Sequence, residues 1–339
     1  MKVFVKTYGC TFNKRDGQAI EGVLAKAGFS LINNEKEADI IIVNTCGVKS
    51  VTQNKIINYI KSLKKPTFVG GCLTKMIDFS KLKVHIFDTN TISQLPNQIK
   101  NNLKTNISNE KENHLKLPVI ETKDLQIIPI AEGCLGNCNY CSVKFARGNL
   151  HSYPIEEIVS SIHAKKILLT SQDNGCYGLD INTNLIELLN NILKLKQDFK
   201  LRIGMMNPEH VIKMLPKLIE IYKDPRIIKF IHIPVQSGSN KVLKEMNRKY
   251  KIEDFKKIVN EFRKTIPNIC ISTDIIVGYP TETEEDFIET KKLLEDFKLE
   301  VVNLSKFAPR PNTQAAKLKQ IPIEVMRDRS KILTKIIKS

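Results

Sequence analysis

Ten short runs rich in Ile, Val and Leu recur along this chain, separated by stretches of helical period or by polar turns. A continuous apolar strand such as "ADIIIVNT" (38–45) suits a strand buried on both faces, and a parallel sheet covered by helices provides that burial. The pattern therefore predicts an α/β fold. Four runs, "KVFVKTYG", "ADIIIVNT", "PTFVGG" and "KVHIFD", lie in the first hundred residues. One amphipathic helix is expected over 13–27, closed by Gly28, and another over 50–65, ended by Pro66. Together they describe a small α/β domain with a mostly parallel sheet.

The other six runs are "LQIIPIAEG", "AKKILLTSQD", "KLRIGMMNP", "IKFIHIPVQ", "NICISTDIIVGYP" and "LEVVNLSKFAP". Helices such as 154–164 are expected between them. Eight strand–helix repeats would close a TIM barrel, so six imply a partial one. A chain of 339 residues exceeds one typical core, in keeping with two domains. The Asn- and Lys-rich stretch 101–123 has no sustained period and reads as a linker or exposed excursion. The expected division is 1–105 for the first domain, 106–123 for the linker, 124–312 for the partial barrel and 313–339 for a basic helical extension.

The N-terminus "MKVFVKTYGCTFN" alternates like a strand and lacks the apolar core of a signal peptide. No apolar run reaches the length of about 18 residues that spans a bilayer, so a cytoplasmic location is expected. Lys plus Arg number 53 and Asp plus Glu 36, a net charge of +17. That excess suits a polyanionic partner such as RNA, or a lysine-rich compositional bias.

In a reducing compartment, eight cysteines point to metal binding or catalysis rather than disulfides. Cys10, Cys46 and Cys72 each lie just beyond the carboxyl end of an expected parallel strand, and in such a sheet these ends share one edge, where ligands bind. Glycines adjoin all three, as backbone approach to a bulky inorganic group requires. The alternative is three unrelated buried cysteines. Cys134, Cys138 and Cys141 form a tighter set, CxxxCxxC, in the loop after the first barrel strand. Three thiolates on a 4Fe–4S cluster leave one iron open to an exchangeable ligand; a structural zinc would need a fourth ligand elsewhere, and His151 is too far along the chain to close a local site. Cys176 and Cys270 match no ligand position and read as structural, and His85, His163 and the other scattered histidines receive no role.

"AEGCLGNCNYCSVKFARG" (131–148), with Tyr140 before the last cysteine, resembles the signature of radical S-adenosylmethionine (SAM) enzymes, in its methylthiotransferase version. The "GC…NTC…GGC" pattern matches that family's first domain, and the resemblance spans essentially the whole chain. It implies two 4Fe–4S clusters: one on Cys134, Cys138 and Cys141, which binds SAM and cleaves it to a deoxyadenosyl radical, and an auxiliary one on Cys10, Cys46 and Cys72, which handles the sulfur. It also implies SAM contacts from the Tyr140 backbone, Gln172, Gln236, Ser237 and Gly278. Arg147 and Asn13 adjoin the clusters, where each either backs a ligand or makes only a loop contact, and Asn207, before Pro208, either shapes a turn or touches the methionine moiety.

"LTSQDNGCYG", "RIGMMNP", "IHIPVQSGSNKVLKEMNRKY", "TDIIVGYPTET" and "FAPRPNTQAAKL" resemble the archaeal and eukaryotic branch. That branch converts threonylcarbamoyladenosine at position 37 of tRNA, in the anticodon loop, to its 2-methylthio form. The resemblance thus implies a tRNA partner, two molecules of SAM per turnover, an electron donor such as flavodoxin or ferredoxin, and a sulfur donor. Family members usually end in an RNA-binding β-barrel called TRAM; this chain ends at Ser339, where that domain would begin, and TRAM is expected to be absent. RNA affinity would then come from the remaining basic surface; "MRDRSKILTKIIKS" reads either as a solvated helix face or as part of that surface. The rival readings are a methylthiotransferase acting on a ribosomal-protein aspartate and a non-catalytic iron–sulfur protein that binds RNA.

Overall fold

The structure is a computed structural model, and it describes residues 1–47, 50–101, 111–121 and 124–338. Its N-terminal sheet holds β1 (Lys2–Thr7), β2 (Ser30–Leu31), β3 (Ile40–Thr45), β4 (Thr67–Gly71) and β5 (His85–Ile86), in the order β2-β1-β3-β4-β5. Every pairing is parallel. All six residues of β3 are buried. Ile40 and Ile42 pack with Ile20 and Leu24 of α1 (Thr11–Lys26), whereas Ile41 and Val43 pack on the other face with Ile56 and Ile60 of α2 (Ser50–Ser62). A period of two thus feeds two separate cores, which is why the run is apolar throughout. The chain leaves β1 toward β2 on one side and later returns to β3 on the other. The strand order reverses at β1/β3, and the carboxyl ends there form the crevice where such sheets bind ligands.

The second part carries β6 (Leu125–Pro129), a short antiparallel pair β7 (Ala131–Glu132) and β8 (His151–Ser152), and then β9 (Lys166–Thr170), β10 (Lys200–Arg202), β11 (Phe230–His232), β12 (Cys270–Val277) and β13 (Val301–Lys306). Strands β6, β9 and β10 pair in parallel, as do β11, β12 and β13. A bridge from Leu201 in β10 to Ile227, just before β11, joins the two ladders. The six long-spaced strands therefore run side by side in chain order, as a partial TIM-like barrel does. One large core fills it, from Ile128 and Leu169 through Leu201 and Ile231 to Ile271 and Ile275.

Several details depart from the sequence expectations. Helix α2 ends at Ser62 rather than 65, and the helix expected over 154–164 occupies Ile155–Ser160. Residues 102–110, 122 and 123 of the expected linker lie outside the described residues. Residues 111–121 are not an exposed excursion. His114 there is fully buried, its Nδ1 3.0 Å from Asp16 Oδ1 and its Nε2 2.9 Å from the Thr89 carbonyl. Lys111 Nζ donates to the Asn149 carbonyl, and the Ile120 amide donates to Gln18 O. The segment is polar because polar pairs fix it to α1 and to the barrel loop, and such pairing leaves no hydrophobic period. The final helix (Ile323–Lys338) packs Met326 and Leu333 inward, and Arg329 there pairs with Glu282 and Glu284. Among the described residues, no helix is long and apolar enough to cross a membrane.

Candidate functional site

The sheet edge gathers the first three cysteines. Cys10 caps α1 after β1, Cys46 follows β3, and Cys72 opens a short 3-10 turn (Cys72–Lys75) after β4. Thr45 pairs in register with Gly71, so Cys46 and Cys72 are the next residues on adjacent parallel strands. The approach is close enough to dictate glycine at position 9. Its φ is +113°, and a Cβ there would sit 2.7 Å from the Cys46 sulfur. Asn13, one turn into α1, donates from Nδ2 to the carbonyls of Tyr8 (2.9 Å) and Thr45 (2.7 Å), tying the β1 and β3 ends together.

The second set occupies the loop between β7 and α4 (Val143–Arg147). A Cβ built on Gly136 would lie 3.2 Å from the Cys134 sulfur and 3.8 Å from that of Cys138, so the loop curls both thiols toward one point. The Gly136 amide donates to Cys134 Sγ at 3.2 Å, and Arg248 Nη1 donates to Cys138 Sγ at 3.4 Å. A cleft of about 540 Å³ opens beside them, lined by Gly136, Cys138, Asn207, Glu209, His210 and Arg248 among others. All six cysteines are free thiols. Burial pushes Cys72 and Cys134 up to about 11 and Cys141 up to about 12; the Asp173 charge adds to it at Cys134 and Cys138 adds to it at Cys141, whereas Arg147 opposes it at Cys72. As bare thiols these groups stay protonated at neutral pH, and a cationic metal centre would displace the protons as it took the sulfurs. Three converging, half-buried thiols with amide and guanidinium donors aimed at the sulfur fit an iron–sulfur cluster with one iron left open.

Arg147 joins the two triads. It ends α4, the short helix after Cys141, and reaches the N-terminal sheet edge, where Nε donates to Cys72 Sγ at 3.2 Å. Nη1 donates to Glu132 Oε1 at 3.0 Å, and Nη2 donates to Asn13 Oδ1 at 3.0 Å and to Asp16 Oδ2. Its plane also covers the Phe12 ring. Cys72 and Met76 pack directly on Ala146. The sheet edge therefore packs against the short helix that follows the barrel cysteines. Both ring nitrogens of His114 face oxygens, of Asp16 and of the Thr89 carbonyl, a setting that favours the imidazolium. Burial opposes that charge, but Glu132 and Asp16 outweigh it and raise His114. Burial likewise pushes Asp16 up, and Arg147 with His114 brings it below the usual carboxylate range.

The residues expected at the SAM site are placed as follows. Tyr140 packs its ring among Val242, Met246 and Tyr279. Gln172 accepts the Gly133 amide at 2.6 Å and so shapes the entry to the cysteine loop. Gln236 stands at φ +70° with its backbone paired to β12. Ser237 is fully buried, and its hydroxyl meets Thr290 and the Ser239 amide. Gly278 packs on Met326, where a Cβ would lie 2.2 Å from Met326 Cγ. Asn207 caps the following helix and also accepts from Arg248 at 2.9 Å. Cys176 is fully buried and donates to the Asp173 carbonyl at 3.2 Å. Asp173, Cys176 and His210 bring ligand atoms within 4.8 Å of one another, but the amides of Gly175 and Asn207 already engage Asp173 Oδ1. Sequence reasoning missed Arg248, Asp16, Glu132 and His114. Their signal is charge without helical or strand period, which becomes legible only through burial.

The pattern of the radical SAM superfamily matches residues 128–294, and that of a family described as uncharacterized protein family UPF0004 matches residues 2–90. Among solved structures, the radical S-adenosylmethionine methyltransferase TsrM from Kitasatospora setae, with cobalamin and a [4Fe-4S] cluster bound, superposes with a TM-score of 0.62 at 13% identity, over 93% of this chain and 73% of that one. That likeness is one of fold. The probable threonylcarbamoyladenosine tRNA methylthiotransferase of Methanocaldococcus jannaschii is 42% identical over 99% of this chain and 82% of its own length. The one from Pyrococcus abyssi is 39% identical over 99% of this chain and 84% of its own length, and the human threonylcarbamoyladenosine tRNA methylthiotransferase is 37% identical over 100% of this chain and 62% of its own length. With identity of that degree along its whole length, and with both triads in place, the chain belongs to the threonylcarbamoyladenosine tRNA methylthiotransferases of the radical SAM superfamily.

Proposed function

We propose that this protein inserts a methylthio group at C2 of the adenine of threonylcarbamoyladenosine in tRNA. The observation that carries the reading is Arg147, which follows one cysteine triad in sequence and hydrogen-bonds a sulfur of the other, so that the two triads adjoin. Cys134, Cys138 and Cys141 hold the SAM-binding 4Fe–4S cluster, and Cys10, Cys46 and Cys72 hold a second one. When bound, the two clusters and SAM supply the radical chemistry that opens an unactivated C–H bond and the sulfur that replaces the hydrogen. The chain positions and shields. Arg248 and the Gly136 amide donate to barrel sulfurs, and Arg147 donates to Cys72, which favours the thiolate forms. The buried set of Asp16, Glu132, His114 and Arg147 locks the sheet edge onto the barrel.

For SAM itself, the Tyr140 backbone, Gln172, Gln236, Ser237 and Gly278 form the cofactor side, with Gly278 near the adenine and Gln172 and Ser237 acting through the loops that they fix. A flavodoxin or ferredoxin and a separate sulfur donor feed the two sites, in the cytoplasm, and the anticodon loop of the tRNA enters the cavity. The names of the relatives favour this substrate over a ribosomal-protein aspartate. Nucleoside mass spectrometry of tRNA incubated anaerobically with reconstituted protein, SAM, sulfide and reductant tests the reading. The expected product is the 2-methylthio nucleoside, lost in Cys138→Ala together with deoxyadenosine release. Deoxyadenosine release without any modified nucleoside from the parent would refute the substrate. Release by Cys138→Ala at the parent's rate would refute the chemistry.

A further inference from the structure

Arg310 is a buried cation without an anion. It is 6% exposed, and among the described residues no carboxylate lies within ion-pair distance of it. Arg15, 5% exposed, is likewise without a carboxylate at ion-pair distance and donates from Nη2 to the His114 carbonyl, but the remaining buried or half-buried arginines have partners. Arg147 meets Asp16 and Glu132, Arg329 meets Glu282 and Glu284, Arg226 meets Asp224, and Arg263 meets Glu300. Arg248 also lacks a carboxylate, but its guanidinium is engaged by Tyr250, Cys138, Asn207 and the Pro234 carbonyl. Arg310 makes one hydrogen bond among the described residues, from Nη1 to Gln53 Oε1 at 2.8 Å. A guanidinium carries five N–H donors, and whereas Arg15 Nε and Nη1 are sealed off without a partner, the remaining Arg310 donors are not, so the fork can receive something that arrives.

Its location says where that something sits. Gln53 belongs to α2, the helix that follows Cys46. The turn carrying Arg310 is closed by Thr313, whose amide and hydroxyl both donate to the Arg310 carbonyl, and Ala315 then donates to the carbonyl of Asn139 inside the CxxxCxxC loop. The turn is thus fastened to the barrel triad's loop while its arginine touches the N-terminal domain. Burial lowers Arg310, while Cys46 and Cys141, one sulfur from each triad, act on it in the opposite sense. The guanidinium therefore lines the space between the N-terminal domain and the CxxxCxxC loop.

On the proposed function, which this inference takes as its premise, that space receives an adenine whose C2 faces both clusters. The N6 substituent projects from the same edge of the purine, with only N1 between them. A threonylcarbamoyl group brings a carboxylate, the one anionic group on the modified base. We propose that Arg310 binds this carboxylate and so determines that the enzyme takes threonylcarbamoyladenosine rather than plain adenosine. The planar fork matches a carboxylate in bidentate fashion, which neither a lysine nor a single-atom sulfur anion reproduces. A backbone phosphate of the RNA is a poorer occupant, because the side chain is enclosed between two domains.

The test measures, by fluorescence anisotropy with the reconstituted two-cluster protein, the affinity for an anticodon stem-loop bearing threonylcarbamoyl-adenine, its methyl ester, or plain adenine. The parent should prefer the acid over the ester by about tenfold to a hundredfold, the worth of hydrogen bonds to a charged group. Arg310→Gln should bring acid and ester to equal affinity while binding the plain-adenine loop as the parent does, and Arg310→Lys should keep part of the preference. Iron content and circular dichroism equal to the parent's identify a folded variant. An unchanged acid-to-ester ratio in Arg310→Gln would overturn the proposal. So would an equal loss for all three RNAs with a smaller salt slope, which would mark a phosphate contact. A parent that does not distinguish acid from ester would overturn it without needing any variant. In each of these cases, formation of the methylthio nucleoside by the parent shows that the proposed function stands, and its absence shows that the function fails too.

Discussion

Replacing Arg147 by alanine removes four hydrogen bonds at once from a buried region. Their acceptors are Glu132, Asn13, Asp16 and Cys72. Asp16 and Glu132 are both fully buried. Asp16 keeps His114 at 3.0 Å, but Glu132 has His114 only at 3.9 Å, and its Oε2 is already without a hydrogen bond. Breaking a buried ion pair by removing one partner costs about 3–5 kcal/mol, and since one of the two carboxylates retains a partner, the expected loss is about 3 kcal/mol. Against domain stabilities of about 5–15 kcal/mol, that is a large fraction. Urea unfolding of the metal-free protein, followed by far-ultraviolet circular dichroism, reads it directly. A second replacement, Glu132→Gln, neutralises the orphaned carboxylate and should return about half of the loss. A single variant within about 0.5 kcal/mol of the parent, the scatter of ordinary surface substitutions, would refute the reasoning. So would a double variant no more stable than Arg147→Ala.

Three further outcomes follow from the same geometry. His114 is raised in the folded state, so its contribution is fully present below its unfolded value of about 6.5 and is lost as pH rises through the folded value; the stability gap between the parent and His114→Gln, measured by urea midpoints, should therefore narrow as pH increases. Gly9→Ala places a methyl 2.7 Å from the Cys46 sulfur at φ +113°, and should abolish the auxiliary cluster while leaving the barrel cluster, so that reconstituted protein binds half the parent's iron. Cys176→Ala removes a buried thiol that matches no ligand position; iron content should equal the parent's, with a stability loss of about 1 kcal/mol read by denaturant titration.

How much of this was legible before the structure depends on where each signal resides. The strand "ADIIIVNT" could be read because burial on both faces leaves a continuous apolar run, and it is indeed the wholly buried β3. That Cys10, Cys46 and Cys72 share one sheet edge could be read from strand ends, since parallel topology places them there, whereas choosing a ligand set over three unrelated cysteines took the family resemblance. Strand β2 could not be read, because two residues at an edge carry no period. His114 was hidden for another reason. It lies in a polar, aperiodic stretch, and its burial is stabilised by Asp16 and Thr89, far away in sequence. Arg147 was recognised as a neighbour of the clusters, yet its bridging role depends on partners at positions 13, 16, 72 and 132, and no local pattern records these. Arg310 stood inside a quoted stretch, "FAPRPNTQAAKL", and only its enclosure without a counter-ion marks it out.

The central claim is that two clusters on two cysteine triads face a single cavity. Electron paramagnetic resonance of the reduced, reconstituted parent tests it most directly, compared with the Cys10→Ala/Cys46→Ala/Cys72→Ala and Cys134→Ala/Cys138→Ala/Cys141→Ala variants. Each triple variant should show one cluster signal and half the iron, and the parent should show a spectrum broadened by spin–spin coupling that differs from the sum of the two. A parent spectrum equal to that sum, or a triple variant that keeps all the iron, would contradict the account.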